Sequence, residues 1–139
     1  MAEDVLDNCF KAALLPARAG GATSHLKLVG AHNSGHTISE APGPHLYGSE
    51  AASLESLPGA SRELGGGLTE AMVRFAARHE YARTVEDMLA RRFRLLFTDA
   101  AMASGLAAEV GELLRSETGV DPRTAEFREL AASYLRMPV

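Results

Sequence analysis

The sequence has no tryptophan and a single cysteine, and Lys11 and Lys27 are its only lysines. With Cys9 alone there is no intramolecular disulfide and no cysteine-based zinc cluster, so a reducing, intracellular setting is the default expectation. No apolar run approaches the roughly 20 residues of a membrane-spanning helix. Any membrane contact is therefore expected to be peripheral or supplied by another part of the protein. The opening MAEDVLDNCF is acidic and amphipathic, unlike a secretory signal. The formal net charge is −4 and no basic cluster tracks along one face, which argues against nucleic-acid binding as a main role. The GxGxxG fingerprint is absent, so nothing here is expected to bind a nucleotide cofactor. No heptad run or internal repeat points to a coiled coil or solenoid. The excess of arginine over lysine, with abundant alanine and glycine, reads as genomic composition bias.

What is present is helical periodicity. At 139 residues the chain is one domain, or one domain with an appendage. Residues 3–15 predict a short helix with Val5, Phe10 and Leu14 on its apolar side, ended by Pro16 and the glycines at 20–21. Residues 16–67 hold most of the glycines and four of the six prolines, more irregular chain than a compact domain usually tolerates as a loop. An extended piece is expected at 25–29, a mobile polar loop at 30–44 and a short helix near 49–57, stopped by Pro58-Gly59. From residue 68 four helices follow with short connections, which predicts antiparallel neighbours. The expected fold is therefore all-α: a small bundle of about four main helices, behind a Gly/Pro-rich irregular segment and a short N-terminal helix.

The centre of the chain is Thr69–Asp99. Thr69 caps a helix whose Leu68, Met72, Phe75, Ala76 and His79 recur on one buried stripe. Thr84 and Asp87 form an aspartate variant of the capping box for a second helix. Its apolar arc is Val85, Met88, Leu89, Phe93 and Leu96. Asp87 and Arg91 form an i,i+4 surface pair on the opposite side. Arg92 falls within the apolar arc, where a guanidinium needs a partner. Glu80, at the end of the preceding helix, is the nearest plausible carboxylate, so an Arg92–Glu80 ion pair tying the corner is predicted. Asp99 then caps a helix over 100–118, with Met102, Leu106, Val110, Leu113 and Leu114 inward and Gly119 as its left-handed stop. Asp121-Pro122 is expected to start the last helix, with Phe127, Leu130, Ala131, Tyr134 and Leu135 as its core stripe and Pro138 as its end.

Other chemistry-bearing residues favour bland roles. His32 and His36 have zinc-like spacing near His25 and His45, but lie in a Gly-rich loop without the rigid frame a metal site needs. Gly65-Gly66-Gly67 lacks the Walker spacing and its lysine, and is expected to be a flexible hinge. Ser34, Ser61 and Ser104 have no paired His and Asp in a recognisable elbow. Glu109, Glu112 and Glu117 are expected to be a solvated face, and Tyr81 and Tyr134 core aromatics with hydroxyls at the rim.

Residues 80–99, EYARTVEDMLARRFRLLFTD, resemble the signature of the C-terminal domain of FAD-dependent glycerol-3-phosphate dehydrogenase. Glu80, Tyr81, Ala82, Thr84, Asp87, Leu89, Arg91, Arg92, Arg94 and Leu95 match the family run, and Phe93 departs from its usual threonine. HLYGSEAA at 45–52 resembles the family's connecting segment, and MAED at 1–4 the start of the last FAD-domain helix. The resemblance implies three parts: a remnant of that helix at 1–15, a connecting segment at 16–67 and a helical cap at 68–139. It also implies an excised C-terminal piece, with Met1 an interior position. The family oxidises glycerol 3-phosphate to dihydroxyacetone phosphate through FAD and passes electrons to quinone. Glycerophosphate oxidases, its relatives, pass them to oxygen. The implied partners are the preceding FAD and substrate domain, glycerol 3-phosphate and quinone, and a homo-oligomer is left open. The implied location is cytoplasmic, peripheral at the inner membrane. No catalytic, cofactor-binding or metal residue of the family maps onto this chain. A free-standing helical interaction module is the alternative from another class.

Overall fold

The structure, a computed structural model, describes residues 1–16, 18, 21–31, 35 and 39–136. His32, Ser34, His36 and Pro138 lie outside the described residues. The domain is mostly helical. In chain order come α1 (Ala2–Lys11), 3₁₀ turns at Thr23–His25 and Pro44–Glu50, and α2 (Ala51–Glu55). A small antiparallel hairpin follows, β1 (Glu63–Gly65) with β2 (Leu68–Thr69), leading into α3 (Glu70–His79). After a π turn at Asp87–Arg92 come α4 (Leu95–Thr98), α5 (Ala100–Thr118) and α6 (Thr124–Tyr134).

α5 is the central post, and α3, α4 and α6 all pack on it. Its Ala103, Ala107, Val110 and Leu114 repeat at three- and four-residue spacing and are fully buried. They join Leu68, Met72, Phe75, Val85, Met88, Leu89, Leu96 and Phe127 in one continuous core. The helix ends follow local chemistry. The Thr69 hydroxyl accepts the Met72 amide at 3.3 Å, and the Met72 thioether accepts the Thr69 amide in return. Asp99 Oδ1 accepts the Met102 amide at 2.9 Å, and Gly119, left-handed at φ 67°, closes α5. α1 buries no residue.

Several expectations are corrected. The helix expected to run unbroken from Thr84 towards Asp99 widens into the π turn, where the Phe93 amide reaches back five residues to the Met88 carbonyl (2.9 Å). The wider turn advances each residue by a smaller angle, so Arg92 swings towards the edge of the apolar arc. Arg94 then adopts a left-handed conformation and α4 starts afresh. Gly65 ends β1 and Gly66-Gly67 form the turn of the hairpin, so the run is not a hinge. All three have positive φ, and a Cβ at Gly67 would run into the Pro42 carbonyl. α6 begins at Thr124, because Asp121 instead turns back to the Arg123 amide (3.1 Å) and the Pro122 carbonyl accepts the Val85 amide (2.9 Å). Tyr134 and Leu135 end the α6 stripe exposed, and His79 ends the α3 stripe exposed, although its ring lies 4.8 Å from Phe75. Tyr81 is also exposed; the tyrosine half-buried against the core is Tyr47, edge-on to Phe75 at 5.3 Å.

Two glycines give opposite expectations. Gly105 sits on the exposed side of α5 with open space around an added Cβ, so Gly105→Ala should gain about 0.5–1 kcal/mol from helix propensity. Gly67→Ala should lose more than about 1 kcal/mol, from both strain and collision. Urea unfolding of the two variants checks the signs.

Candidate functional site

Two polar constellations stand on this frame. The first is the corner that follows α3. Beyond Glu80 the chain turns through Tyr81 at φ 59°, and the Ala82 amide returns to the Ala76 carbonyl at 2.9 Å. Asp87 Oδ2 accepts the Arg83 and Thr84 amides at 3.1 and 2.9 Å, and the Thr84 hydroxyl accepts the Asp87 amide at 3.1 Å. Burial raises the Asp87 pKa, but the Thr84 and Arg83 amides outweigh it and the carboxyl ends below its ordinary value. Arg91 donates to Asp87 Oδ1 at 2.5 Å and to Glu86 at 2.7 Å.

Arg92 sits at the inside of this corner. Its Nη2 donates to the Glu80 carbonyl, its Nη1 donates to the Asp87 carbonyl at 3.1 Å, and its Nε lies 3.4 Å from Glu80 Oε2. One guanidinium therefore satisfies two backbone oxygens on separate segments and faces a carboxylate. Burial, then the Glu80 carboxylate, push the pKa of the nearby Tyr47 hydroxyl up, and Arg92 offsets part of that rise. Open depressions flank the pair. One of about 650 Å³ is lined by Glu80, Tyr81, Arg83, Asp87, Arg91 and Arg92. The other, about 310 Å³, adds Val29, Gly30, Leu46, Tyr47, Glu50 and Phe93 to the same pair. Arg83 lies over the Tyr81 ring, 4.5 Å from its centroid. This is the chemistry of positioning and contact: Arg91 and Arg92 face carboxylates, and Arg92 also holds backbone.

The second constellation escaped the sequence. Glu70, 7% exposed, accepts Arg62 Nη1 at 2.6 Å and Arg74 Nε at 2.8 Å. Arg74 also reaches Glu117, which takes Arg78 Nε at 2.7 Å, and Arg62 reaches Glu109. Glu117 is thus not part of the solvated face expected of it: it is largely covered, because α3 lays two arginines across it, whereas Glu112 is exposed and Glu109 stays open to solvent while pairing with Arg62. Gly59, left-handed at φ 77°, lets its loop lie against Glu70, where a Cβ would collide. The i,i+4 spacing of Glu70, Arg74 and Arg78 was visible as one helix face. Their acceptor 39 to 43 residues away was not. Among the described residues no group of three or more His, Cys, Asp or Glu is placed to hold a metal.

Both constellations are testable. Arg62 and then Arg74 lower the Glu70 pKa, and Arg78 is the main cause lowering that of Glu117. A folded pKa below the unfolded value of about 4.3 gives stability that is complete above that value. It is lost as pH falls through the unfolded value towards the folded one. Acid unfolding should therefore steepen below about pH 4.3, and Glu70→Gln with Glu117→Gln should flatten that slope while lowering stability at neutral pH. At the corner, Arg92→Ala should cost about 1–3 kcal/mol, as expected for lost charged hydrogen bonds. Arg92→Lys, with a point charge in place of a planar fork, should recover only part of it. An unchanged thermal midpoint in Arg92→Ala would remove the corner's assigned role.

Comparison with known proteins places this geometry. A family model described as the C-terminal domain of alpha-glycerophosphate oxidase matches residues 21–125. A mitochondrial glycerol-3-phosphate dehydrogenase of Arabidopsis thaliana is 38% identical over 78 residues, covering 52% of this chain and 12% of that protein. The mitochondrial glycerol-3-phosphate dehydrogenase of Schizosaccharomyces pombe is 40% identical over 58 residues, covering 42% of this chain and 9% of that protein. The matched stretches span about a tenth of the length of these curated relatives. No solved structure matches the chain. With the matched span covering most of the helical core and the Arg92 corner, the chain belongs to the family of the C-terminal domain of alpha-glycerophosphate oxidase.

Proposed function

We propose that this chain is the C-terminal helical cap of a flavoprotein that oxidises sn-glycerol 3-phosphate to dihydroxyacetone phosphate. In this reading FAD accepts the hydride and quinone takes the electrons onward. The observation that carries it is the family match over residues 21–125, and the two mitochondrial dehydrogenases support it. Residues 1–15 are then the end of the flavin domain, 16–67 the connecting segment and 68–139 the cap. The intact enzyme would lie on the cytoplasmic side of the inner membrane as a peripheral protein. No helix among the described residues is long and apolar enough to cross a membrane.

The described residues do not fit a dinucleotide site. The three-glycine turn is the one place that could suggest a phosphate cradle. Its Gly67 amide already donates to Glu63 at 3.0 Å, and the Pro42 carbonyl closes the space above it. FAD therefore belongs, on this proposal, to the preceding part of the polypeptide, and the cap supplies no reacting group. An oxygen-using glycerophosphate oxidase is the second reading, favoured by the description of the matching family.

The purified 139-residue chain should be colourless, and a stoichiometric yellow flavin on it would overturn the assignment of the cofactor elsewhere. The full-length polypeptide should form dihydroxyacetone phosphate while reducing a quinone-analogue dye. Oxygen consumption with peroxide formation would instead select the oxidase. A full-length protein with no flavin-binding segment and no glycerol 3-phosphate oxidation would leave the free-standing interaction module.

A further inference from the structure

We infer that the face around the Arg92–Glu80 corner is the surface by which this domain docks on the flavin-binding part that precedes it, an inference that rests on the proposed function. Tyr81 is the first observation. It is 74% exposed and held at φ 59°, a conformation disfavoured for a residue with so large a side chain. Such a backbone persists only where its surroundings over-determine it. Here Arg92 grips the Glu80 carbonyl just before Tyr81, and the Ala82 amide is tied to Ala76 just after it. The step seats Ala82 in the core, yet it turns the Tyr81 ring outward, with the Arg83 guanidinium over it. Aromatic and arginine side chains are the groups enriched as anchors of protein interfaces.

The second observation lies on the other side of the same ion pair. Val29 is 84% exposed, Leu46 is 61% exposed, and both line the smaller depression with half-buried Phe93. Apolar side chains grouped around a central ion pair and open to solvent are the anatomy of an interface awaiting its partner.

The occupant follows from where the chain arrives. The family is a C-terminal domain, and the matched stretches are about a tenth of the longer relatives, so in them the remainder precedes this domain. The connecting segment borders the corner on this same face: Val29 and Gly30 line the smaller depression together with Glu80, Arg92 and Phe93. It is pinned there, because the Gly30 carbonyl accepts the Ser49 amide at 3.4 Å and a Cβ at Gly48 would collide with that carbonyl. The stretch that leads back to the preceding part therefore runs beside the corner. Among the described residues, the exposed Phe97–Tyr134 ring pair, on α4 and α6, lines no depression with the connecting segment.

The test compares this chain with a fusion in which it replaces the matching segment of the intact fission yeast enzyme. The variants are Tyr81→Asn, which keeps a residue tolerant of left-handed backbone, and Leu46→Asp. In the isolated chain both should melt as the unsubstituted chain does. In the fusion both should speed proteolytic release of the domain about tenfold, while Tyr134→Ala, on the other surface, changes nothing. Variants as well protected as the unsubstituted fusion, in a fusion that binds FAD and oxidises glycerol 3-phosphate, would overturn this inference and leave the proposed function standing. A fusion that holds no FAD would defeat the proposed function and this inference together. An isolated chain that sediments as a dimer, reverting to monomer on Leu46→Asp, would give the face to a second copy and overturn the assignment to the preceding domain.

Discussion

A guanidinium held between two backbone carbonyls fixes the shape of the central corner. Arg92 binds the Glu80 carbonyl at the end of α3 and the Asp87 carbonyl at the start of the π turn. Those oxygens belong to segments that a free chain would let separate. Holding both with one rigid planar group sets how α3 passes into the π turn and decides where Tyr81 points. The π turn is part of the same solution. With one more residue in the turn, Arg92 emerges at the rim of the core, where its charge keeps some water, while Met88, Leu89 and Ala90 stay buried. A straight α-helix would have driven the charge into the apolar interior, at a desolvation cost that a single carboxylate repays only with excellent geometry.

The acid–arginine chain from Arg62 to Arg78 does a different task. α3 and α5 pack through an apolar core with alanines in it, and apolar contacts alone oppose sliding along the axis only weakly. Glu70 and Glu117, each covered and each shared by two arginines, discriminate between registers in a way that alanine contacts do not. A buried ion pair is weak grounds for net stability, because desolvation consumes most of the Coulomb gain. Its effect is directional: a shift of α3 along α5 would leave covered carboxylates without donors, and such states carry the full cost of an unpaired buried charge.

How much of this was readable from the sequence follows from the range of each interaction. The extent of α5, its Asp99 cap and its Gly119 stop were readable because each is set by neighbours within one turn. Arg92 was suspect on the helical wheel for the same reason, and Glu80 was the plausible carboxylate at the end of the preceding helix. What was missed depends on distance or on backbone departures that composition does not announce. Glu117 looked solvated because its arginines come from another helix. The glycine run at 65–67 looked like a hinge, and only the Pro42 carbonyl packed against it shows why no side chain fits. Tyr81 read as a core aromatic from its side-chain type alone. The left-handed step there turns the ring outward, and a wheel cannot represent such a step.

The same distinction bears on whether this is a self-sufficient module or part of a larger body. A free-standing domain would be expected to bury its strongest apolar faces within itself. α5 does so, but α1 buries nothing: Val5, Leu6 and Leu14 are all exposed. The connecting segment adds exposed Leu26, Leu28 and Val29 in succession. Uncovered apolar side chains are thus frequent before the helical core, and Phe97, Tyr134 and Leu135 add exposed ones within it. That much open apolar surface opposes the free-standing alternative, because a module that works alone would seldom leave it uncovered. It agrees with a cap whose first elements have their packing partners in a preceding domain, and with Tyr81 as an anchor held ready by the Arg92 corner.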